Sequence, residues 1–222
     1  MDKNSRDALL TQKLYEMTKY ERTLYESGVN FIAGVDEAGR GPLAGPVVAA
    51  AVILPIDCMI LGINDSKKLS AKKREVLYDK ILEAALAFGI GSVDNTKIDE
   101  INILEATKIA MKDALLSASA SLSEKAGTKT RLDHVLIDAL RLPGISISQT
   151  GIVKGDEKSL SIAAASILAK VTRDRIMIEY HDLYPAYAFD HNKGYGTKLH
   201  YQGIEKAGLS PIHRRSFCKP YI

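Results

Sequence analysis

Apolar positions along the chain recur with two different periods. Over residues 2–26 they fall at helical spacing, with Leu10, Leu14, Met17 and Leu24 on one stripe, which predicts an amphipathic helix ended by Gly28. Short apolar runs follow at 31–35, 46–54, 90–93, 134–138 and 148–153, each of strand length. Between them, helical spacing predicts helices over 71–88, over 97–119 through Ile101, Leu104, Met111 and Leu115, and over 159–180. The last of these opens with Ala163-Ala164-Ala165, small enough to pack closely against a sheet. Residues 117–130, rich in Ser, Ala and Gly, read as a loop. Strands alternating with helices predict an α/β fold, a mixed sheet flanked by helices. Residues 1–28 form an expected N-terminal helical extension and 29–222 a single domain with a helical, basic C-terminal region. The Leu and Met stripe predicts that the extension packs on the body.

Composition narrows the class. With 222 residues, 46% hydrophobic and 26% charged, the chain can bury one good core. A net charge of +3 does not announce a nucleic-acid binder. From His191 to Ile222, however, six Lys or Arg (Lys193, Lys198, Lys206, Arg214, Arg215, Lys219) stand against one acid, Glu205. Such a local excess can neutralise backbone phosphates, although charged tails are also commonly just solvated. Cys58 and Cys218 are too few and too distant for a disulfide scaffold or zinc site, which suits a reduced cytoplasm. The N-terminus lacks the apolar core of a signal peptide and no apolar run reaches membrane-spanning length, so a cytoplasmic, membrane-free protein is expected. A monomer is expected too, since no apolar stripe beyond the first helix calls for a partner.

The densest chemistry lies in Asp36-Glu37-Ala38-Gly39-Arg40-Gly41-Pro42, at the end of the first predicted strand. Adjacent carboxylates repel unless a cation sits between them. Glycines let main-chain amides come close to a ligand, and Arg40 offers a planar fork that matches phosphate. Two other readings exist for this stretch. One is an ordinary solvated turn, since Asp, Glu, Gly and Pro are turn residues. The other is a dinucleotide-binding loop, disfavoured because the spacing is Gly39-x-Gly41-x-x-x-Gly45 and a strand rather than a helix follows.

Further blocks carry a resemblance. Asn64-Asp65-Ser66-Lys67-Lys68-Leu69, Ile98-Asp99-Glu100-Ile101-Asn102-Ile103-Leu104, Leu136-Ile137-Asp138, Val153-Lys154-Gly155-Asp156, the run from Ser161 to Asp174, His191-Asn192-Lys193-Gly194-Tyr195 and His213-Arg214-Arg215-Ser216-Phe217 occur in order. Together with the Asp36 block they resemble the type 2 ribonucleases H, most closely bacterial ribonuclease HII, from Phe31 to the C-terminus. The resemblance implies a ribonuclease H-like fold and an endonuclease that cuts the RNA strand of RNA-DNA hybrids and incises duplex DNA 5′ to single embedded ribonucleotides. A role in removing misincorporated ribonucleotides follows from that.

Asp138 follows three aliphatics, so it stands at the mouth of a buried strand as Asp36 does; its other reading is a helix cap. Asp156, just before a predicted helix, reads equally well as an N-cap. The resemblance decides for a four-carboxylate site of Asp36, Glu37, Asp138 and Asp156, both catalytic and metal-binding. Asp174, between Arg173 and Arg175 within a helix, reads instead as an ion-pairing residue. Four carboxylates without a histidine suit magnesium or manganese rather than zinc. Two such ions roughly 4 Å apart could drive an in-line displacement that leaves a 5′-phosphate and a 3′-hydroxyl.

Metal ions do not tell RNA from DNA; the 2′-hydroxyl does. By resemblance, Gly39, Arg40 and Gly41 contact that hydroxyl and Tyr195 stacks on the sugar of the next deoxynucleotide. Asn64, Ser66 and Lys67 would hold backbone phosphates, with some of the basic C-terminal residues. Read without the resemblance, Tyr195 is an ordinary half-buried aromatic. Many relatives carry glycine after the third acid, where this chain has Ala139. Rival readings are a ribonuclease HIII-like enzyme, a hybrid-binding protein that no longer cuts, and a magnesium-dependent phosphatase. No motif decides whether a sliding clamp binds the chain.

Overall fold

The computed structural model describes residues 3–221; Met1, Asp2 and Ile222, and with them the first residue of the predicted N-terminal helix, lie outside it. That predicted helix is two, α1 (Lys3–Met17) and α2 (Lys19–Glu26). The break falls at Thr18, where the Tyr15 carbonyl accepts from the Thr18 hydroxyl at 2.9 Å and from the Arg22 guanidinium at 3.1 Å. Leu14 and Met17 are buried in the core, as the stripe requires.

Strand β1 (Ile32–Ala38) pairs antiparallel with β2 (Val47–Ile53). A 3-10 turn at Ser66–Lys68 leads into α3 (Ala71–Ala84), and β3 (Ala87–Val93) lies antiparallel to β2. The predicted 97–119 helix is also two, α4 (Asn95–Ile101) and α5 (Ile103–Ala126). Between them Asn102 adopts φ 71°, and its side chain accepts from the Leu104 and Glu105 amides at 2.9 and 3.1 Å, so it ends one helix and caps the next. Helix α5 runs on through most of the segment expected to be a loop. Ala110, Ala114 and Ala118 are fully buried against β2 and β3, whereas further along the helix Ala118 and Leu122 alone reach the core and Ser117, Ala120 and Ala126 are exposed.

Strand β4 (His134–Asp138) runs parallel to β1, and β5 (Ser148–Ile152) parallel to β4. Helices α6 (Gly155–Lys158), α7 (Leu160–Leu183), α8 (Phe189–Asn192) and α9 (Lys198–Ala207) complete the chain. Sheet order is β3-β2-β1-β4-β5, with α5 on one face and α7 and α3 on the other. The α/β expectation holds.

Two features position the candidate site. First, β1 and β4 are parallel neighbours with Val35 opposite Ile137, so Asp36-Glu37 and Asp138 leave the same edge of the sheet, where α/β sheets hold ligands. Second, α7 approaches β1 very closely: a Cβ on Gly34 would lie 2.0 Å from the Ser161 carbonyl carbon. That approach brings Ser166 over Asp36. The N-terminal end of α7 is anchored by buried Glu21, whose Oε1 accepts from the Ser159 hydroxyl (2.6 Å), the Ser161 amide (3.0 Å) and the Ser161 hydroxyl (2.8 Å). An acid at a helix N-terminus suits the helix dipole, and the extension is thereby tied to the body.

Candidate active site

Asp36 is 4% exposed, and its Oδ1 accepts from the Glu37 amide at 2.7 Å. Burial raises its pKa well above the usual carboxylate range, the Glu37 and Asp138 charges add to the rise, and a hydrogen bond from Ser166 opposes it. Glu37 is raised as well, by burial, despite Arg40 at 3.4 Å. Its Oε2 is buried without a hydrogen-bond partner. Asp138 ends β4, and its Oδ1 accepts from the Gly155 amide at 2.6 Å, which fixes the start of α6 beside it. Asp156 lies in α6, buried; burial raises its pKa first, then the charges of Asp65 and Asp138. It does not cap the long helix, since Ser159 holds that position and accepts from the Ile162 amide.

Lys67 stands among these acids. Burial alone would lower its pKa, yet Asp36, Asp156, Asp65 and Asp138 together raise it. Among the described residues no three acidic, histidine or cysteine side chains converge closely enough to hold an ion as they are placed. The donor set still fits a hard cation: all oxygens, buried at Asp36 and Asp156 and half-buried at Glu37 and Asp138, with like charges together and one orphaned Glu37 oxygen.

A cleft of about 250 Å³ is lined by Glu37, Ala38, Gly39, Arg40, Gly41, Ser66, Lys67, Ser166, Lys170 and Tyr195. Gly39, Arg40, Gly41, Ser66, Lys67 and Tyr195 thus meet there as expected, whereas Asn64 and the basic C-terminal residues do not line it; the Asn64 side chain accepts from the Asp65 amide within its own turn. Tyr195 is 46% exposed there. Ser66 is buried, its hydroxyl 2.9 Å from that of Ser166.

The wall carrying Gly39 to Pro46 and Tyr195 is built from inside by groups that the sequence reading assigned elsewhere or passed over. Arg214, 0% exposed, donates to the carbonyls of Gly39 (2.6 Å), Arg40 (2.9 Å) and Gly45 (2.9 Å). It therefore cannot touch phosphate as a residue of the basic C-terminal tail. Arg173, also buried, donates to Pro46 (2.9 Å), Lys193 (2.9 Å) and Ala44 (3.1 Å). Burial pulls Arg214 down to about 9 and Arg173 to about 10, so both remain charged at neutral pH. Behind Tyr195, two buried histidines form a directed chain. The Ser210 amide donates to His213 Nδ1, so His213 Nε2 carries the proton and donates to His200 Nε2 at 3.0 Å. His200 Nδ1 then donates to the Tyr195 carbonyl at 2.9 Å.

Three further groups escaped the sequence reading. Ser166 sits in a small-residue helix face, Lys170 lies one turn further along it, and Asp65 sits inside a motif read for its neighbours. The spacing of Ser166 and Lys170 on one face of α7 was the only available signal. Asp174 pairs with Lys170 at 2.7 Å and Arg74 at 3.8 Å, an ion-pairing residue as expected, though with different partners from its arginine neighbours.

The chain superposes on the ribonuclease H2 of Pyrococcus horikoshii OT3 with a TM-score of 0.65 at 24% identity, covering 86% of this chain and 96% of that one. It superposes on the RNase HII of the Archaeoglobus fulgidus PCNA:RNase HII complex with a TM-score of 0.61 at 24% identity, covering 85% and 94%. The fold is thus that of a type 2 ribonuclease H. The family model described as Ribonuclease HII matches residues 33–220. A ribonuclease HII of Caldanaerobacter subterraneus subsp. tengcongensis is 57% identical over 211 residues, covering 95% of this chain and 83% of that protein. The chain belongs to the ribonuclease HII family: it is a ribonuclease H, a divalent-metal-dependent endonuclease of a class that acts on RNA-DNA hybrids. Among the described residues no helix is long and apolar enough to cross a membrane.

Proposed function

We propose that this enzyme incises duplex DNA on the 5′ side of a single embedded ribonucleotide, as well as cutting RNA strands of hybrids, and so serves to remove misincorporated ribonucleotides. The observation that carries this reading is the shared cleft: Glu37 of the acidic edge, the Gly39-Arg40-Gly41 turn and the Tyr195 ring line one space.

Asp36, Glu37, Asp138 and Asp156 would hold two Mg²⁺ or Mn²⁺ ions. Such ions supply an activated water and charge stabilisation for an in-line displacement. Lys67, already drawn among the acids, would neutralise the phosphate that enters with the substrate. Ser166 keeps the Asp36 carboxylate oriented through its hydroxyl. The Gly39-Arg40-Gly41 main chain contacts the 2′-hydroxyl, and Tyr195 packs on the following deoxyribose, where an added hydroxyl would crowd the ring. Cleavage leaves a 5′-phosphate and a 3′-hydroxyl. Ser66 and the exposed lysines of the C-terminal region hold flanking phosphates.

Both cysteines are free and buried, which suits a cytoplasmic enzyme. The reading includes a monomer, which light scattering would overturn by giving a dimer mass. A sliding clamp is a further proposed partner, prompted by the Archaeoglobus complex. The deciding experiment offers the protein a duplex with one ribonucleotide and an all-RNA hybrid strand, with Mg²⁺ or Mn²⁺. Metal-dependent cutting 5′ to the lone ribonucleotide supports the reading. Cutting of the hybrid strand alone would limit the enzyme to long hybrids.

A further inference from the structure

Arg214 is a fully buried guanidinium whose hydrogen bonds go to carbonyls rather than to a carboxylate. Keeping a charge inside a protein on such terms is expensive, so what it holds in place is informative. It bonds the carbonyls of two consecutive residues, Gly39 and Arg40, from the core side. In a trans peptide the C=O of one residue and the N–H of the next lie in one plane and point in opposite directions. No cis peptide occurs among the described residues. Drawing the Gly39 carbonyl inward therefore turns the Arg40 amide outward, and drawing in the Arg40 carbonyl does the same for the Gly41 amide. Neither amide has a hydrogen-bond partner among the described residues. Both residues line the cleft opposite Tyr195. The Arg214 amide itself donates to the Leu43 carbonyl at 2.8 Å, so one residue ties down four carbonyls of this turn.

The geometry points to Arg214 as a positioning residue for ribonucleotide recognition: by holding the Gly39 and Arg40 carbonyls in the core, it presents the Arg40 and Gly41 amides as paired donors to the 2′-hydroxyl oxygen. This rests on the junction reading above. A lysine could not take its place fully, because an ammonium lacks the planar fork that spans three carbonyls. Arg214 never touches substrate; it acts through the backbone it orients.

Binding in a non-cutting background isolates the effect. In Asp138→Asn protein with Mg²⁺, the Kd is measured for a duplex carrying one ribonucleotide and for the matching all-DNA duplex, with Arg214 intact and as Arg214→Lys and Arg214→Met. The intact protein is expected to prefer the ribonucleotide duplex by about tenfold, the worth of one or two hydrogen bonds. Arg214→Met is expected to bring that preference to near one with all-DNA binding unchanged, and Arg214→Lys to keep part of it. A merely structural role would weaken both duplexes together. Folded Arg214 variants that keep the full preference overturn the inference alone. An intact protein without preference overturns the junction reading and this inference with it. If the variants do not fold, the Arg40 and Gly41 amide resonances of the Asp138→Asn protein decide. They are expected to shift and become protected from exchange with the ribonucleotide duplex but not with all-DNA, and their indifference overturns the inference.

Discussion

On one side of the cleft, Asp36 and Asp156 are buried and Glu37 and Asp138 half-buried, the Asp138 charge bears on each of the other three, and a Glu37 oxygen has no partner. On the other, Arg214, Arg173, His213 and His200 are buried donors that each find an acceptor among the backbone carbonyls or each other. The acidic edge is unfavourable until a cation arrives, whereas the reading wall is fixed before anything binds. That division matches the chemistry that the proposed function asks of each side. Charge stabilisation gains from groups held apart until a cation joins them, and discrimination of one hydroxyl gains from preorganised donors.

The largest effects should come from breaking the acidic edge. Asp36→Asn is expected to lower metal-dependent cleavage by roughly 10³-fold, since losing several kcal/mol of charge stabilisation translates at about 1.4 kcal/mol per decade. The same change should stabilise the metal-free protein. Burial and the neighbouring acids hold the Asp36, Glu37 and Asp156 carboxyls above their unfolded values, so their favourable contribution is present below the ordinary carboxylate range. It is lost as pH rises through the raised values. Melts in chelator should therefore show Asp36→Asn above the parent at pH 8, with the gap narrowing at pH 4. Mg²⁺ or Mn²⁺ should raise the parent more than the variant. A parent as stable as the variant at pH 8 without metal would show that the edge is not strained.

Next in size is a contrast between two glycines of the reading wall. Gly39 has φ +94°, and a Cβ there would meet Arg173 Nε at 2.0 Å. Gly39→Ala should cost about 1–3 kcal/mol from backbone strain alone, and more from the displaced guanidinium. A Cβ on Gly41 would meet only Tyr195 Cε1, at an ordinary 3.7 Å. The fold therefore does not explain that glycine. Gly41→Ala should leave stability within about 0.5 kcal/mol while narrowing the gap between the Gly41 amide and the Tyr195 ring. Urea midpoints beside junction cleavage separate the two. Equal destabilisation by both would erase the distinction between a glycine kept for packing and one kept for access.

Much of this was legible in the chain. Asp36 and Asp138 could be placed at strand mouths because each follows an apolar run, and parallel pairing of those strands brings them to one edge. Asn102 was not legible as a break, because a single residue at positive φ capping the next helix leaves no trace in apolar spacing. Nor was the end of α5, where only Ala118 and Leu122 reach the core and the exposed and half-buried Ser and Ala around them look compositionally like a loop. Arg214 was the most misleading. In a basic tail an arginine reads as a phosphate contact, and its true acceptors lie some 170 residues earlier in the chain. Burial decided by distant carbonyls has no local signature.

The reading wall should respond to acid with the opposite sign to the acidic edge. Burial and then the charge of His200 pull His213 down to about 4, and burial lowers His200. Both rings must be neutral, because a second proton on His213 would face the Ser210 amide and one on His200 Nε2 would face His213 Nε2–H. With folded values below the unfolded one, stability is intact at neutral pH and falls as pH drops from about 6.5 through about 4. Urea midpoints for the parent and His213→Gln across that window should show a shallower slope in the variant. Identical slopes would mean that the histidine chain does not carry the acid sensitivity of this wall.

The smallest effect lies at the junction of the two sides, in the residue after the third acid. Ala139 sits at φ 49°, in the left-handed region, with its amide held by the Ile152 carbonyl at 3.0 Å. A side chain there costs about 1–2 kcal/mol, while glycine would lose up to about 1 kcal/mol through the greater freedom of its unfolded chain. Ala139→Gly should therefore gain roughly 0.5–1 kcal/mol, a rise of about 1–4 °C in Tm at this chain length. Glycine would thus be the unstrained residue at this position. The alanine is tolerated because Asp138 Oδ1 takes the Gly155 amide and β5 takes the Ala139 amide, two bonds that hold the turn whichever residue occupies it. A Tm unchanged or lowered by the glycine would mean that those bonds do not hold Ala139 left-handed in solution, and that the turn after Asp138 relaxes.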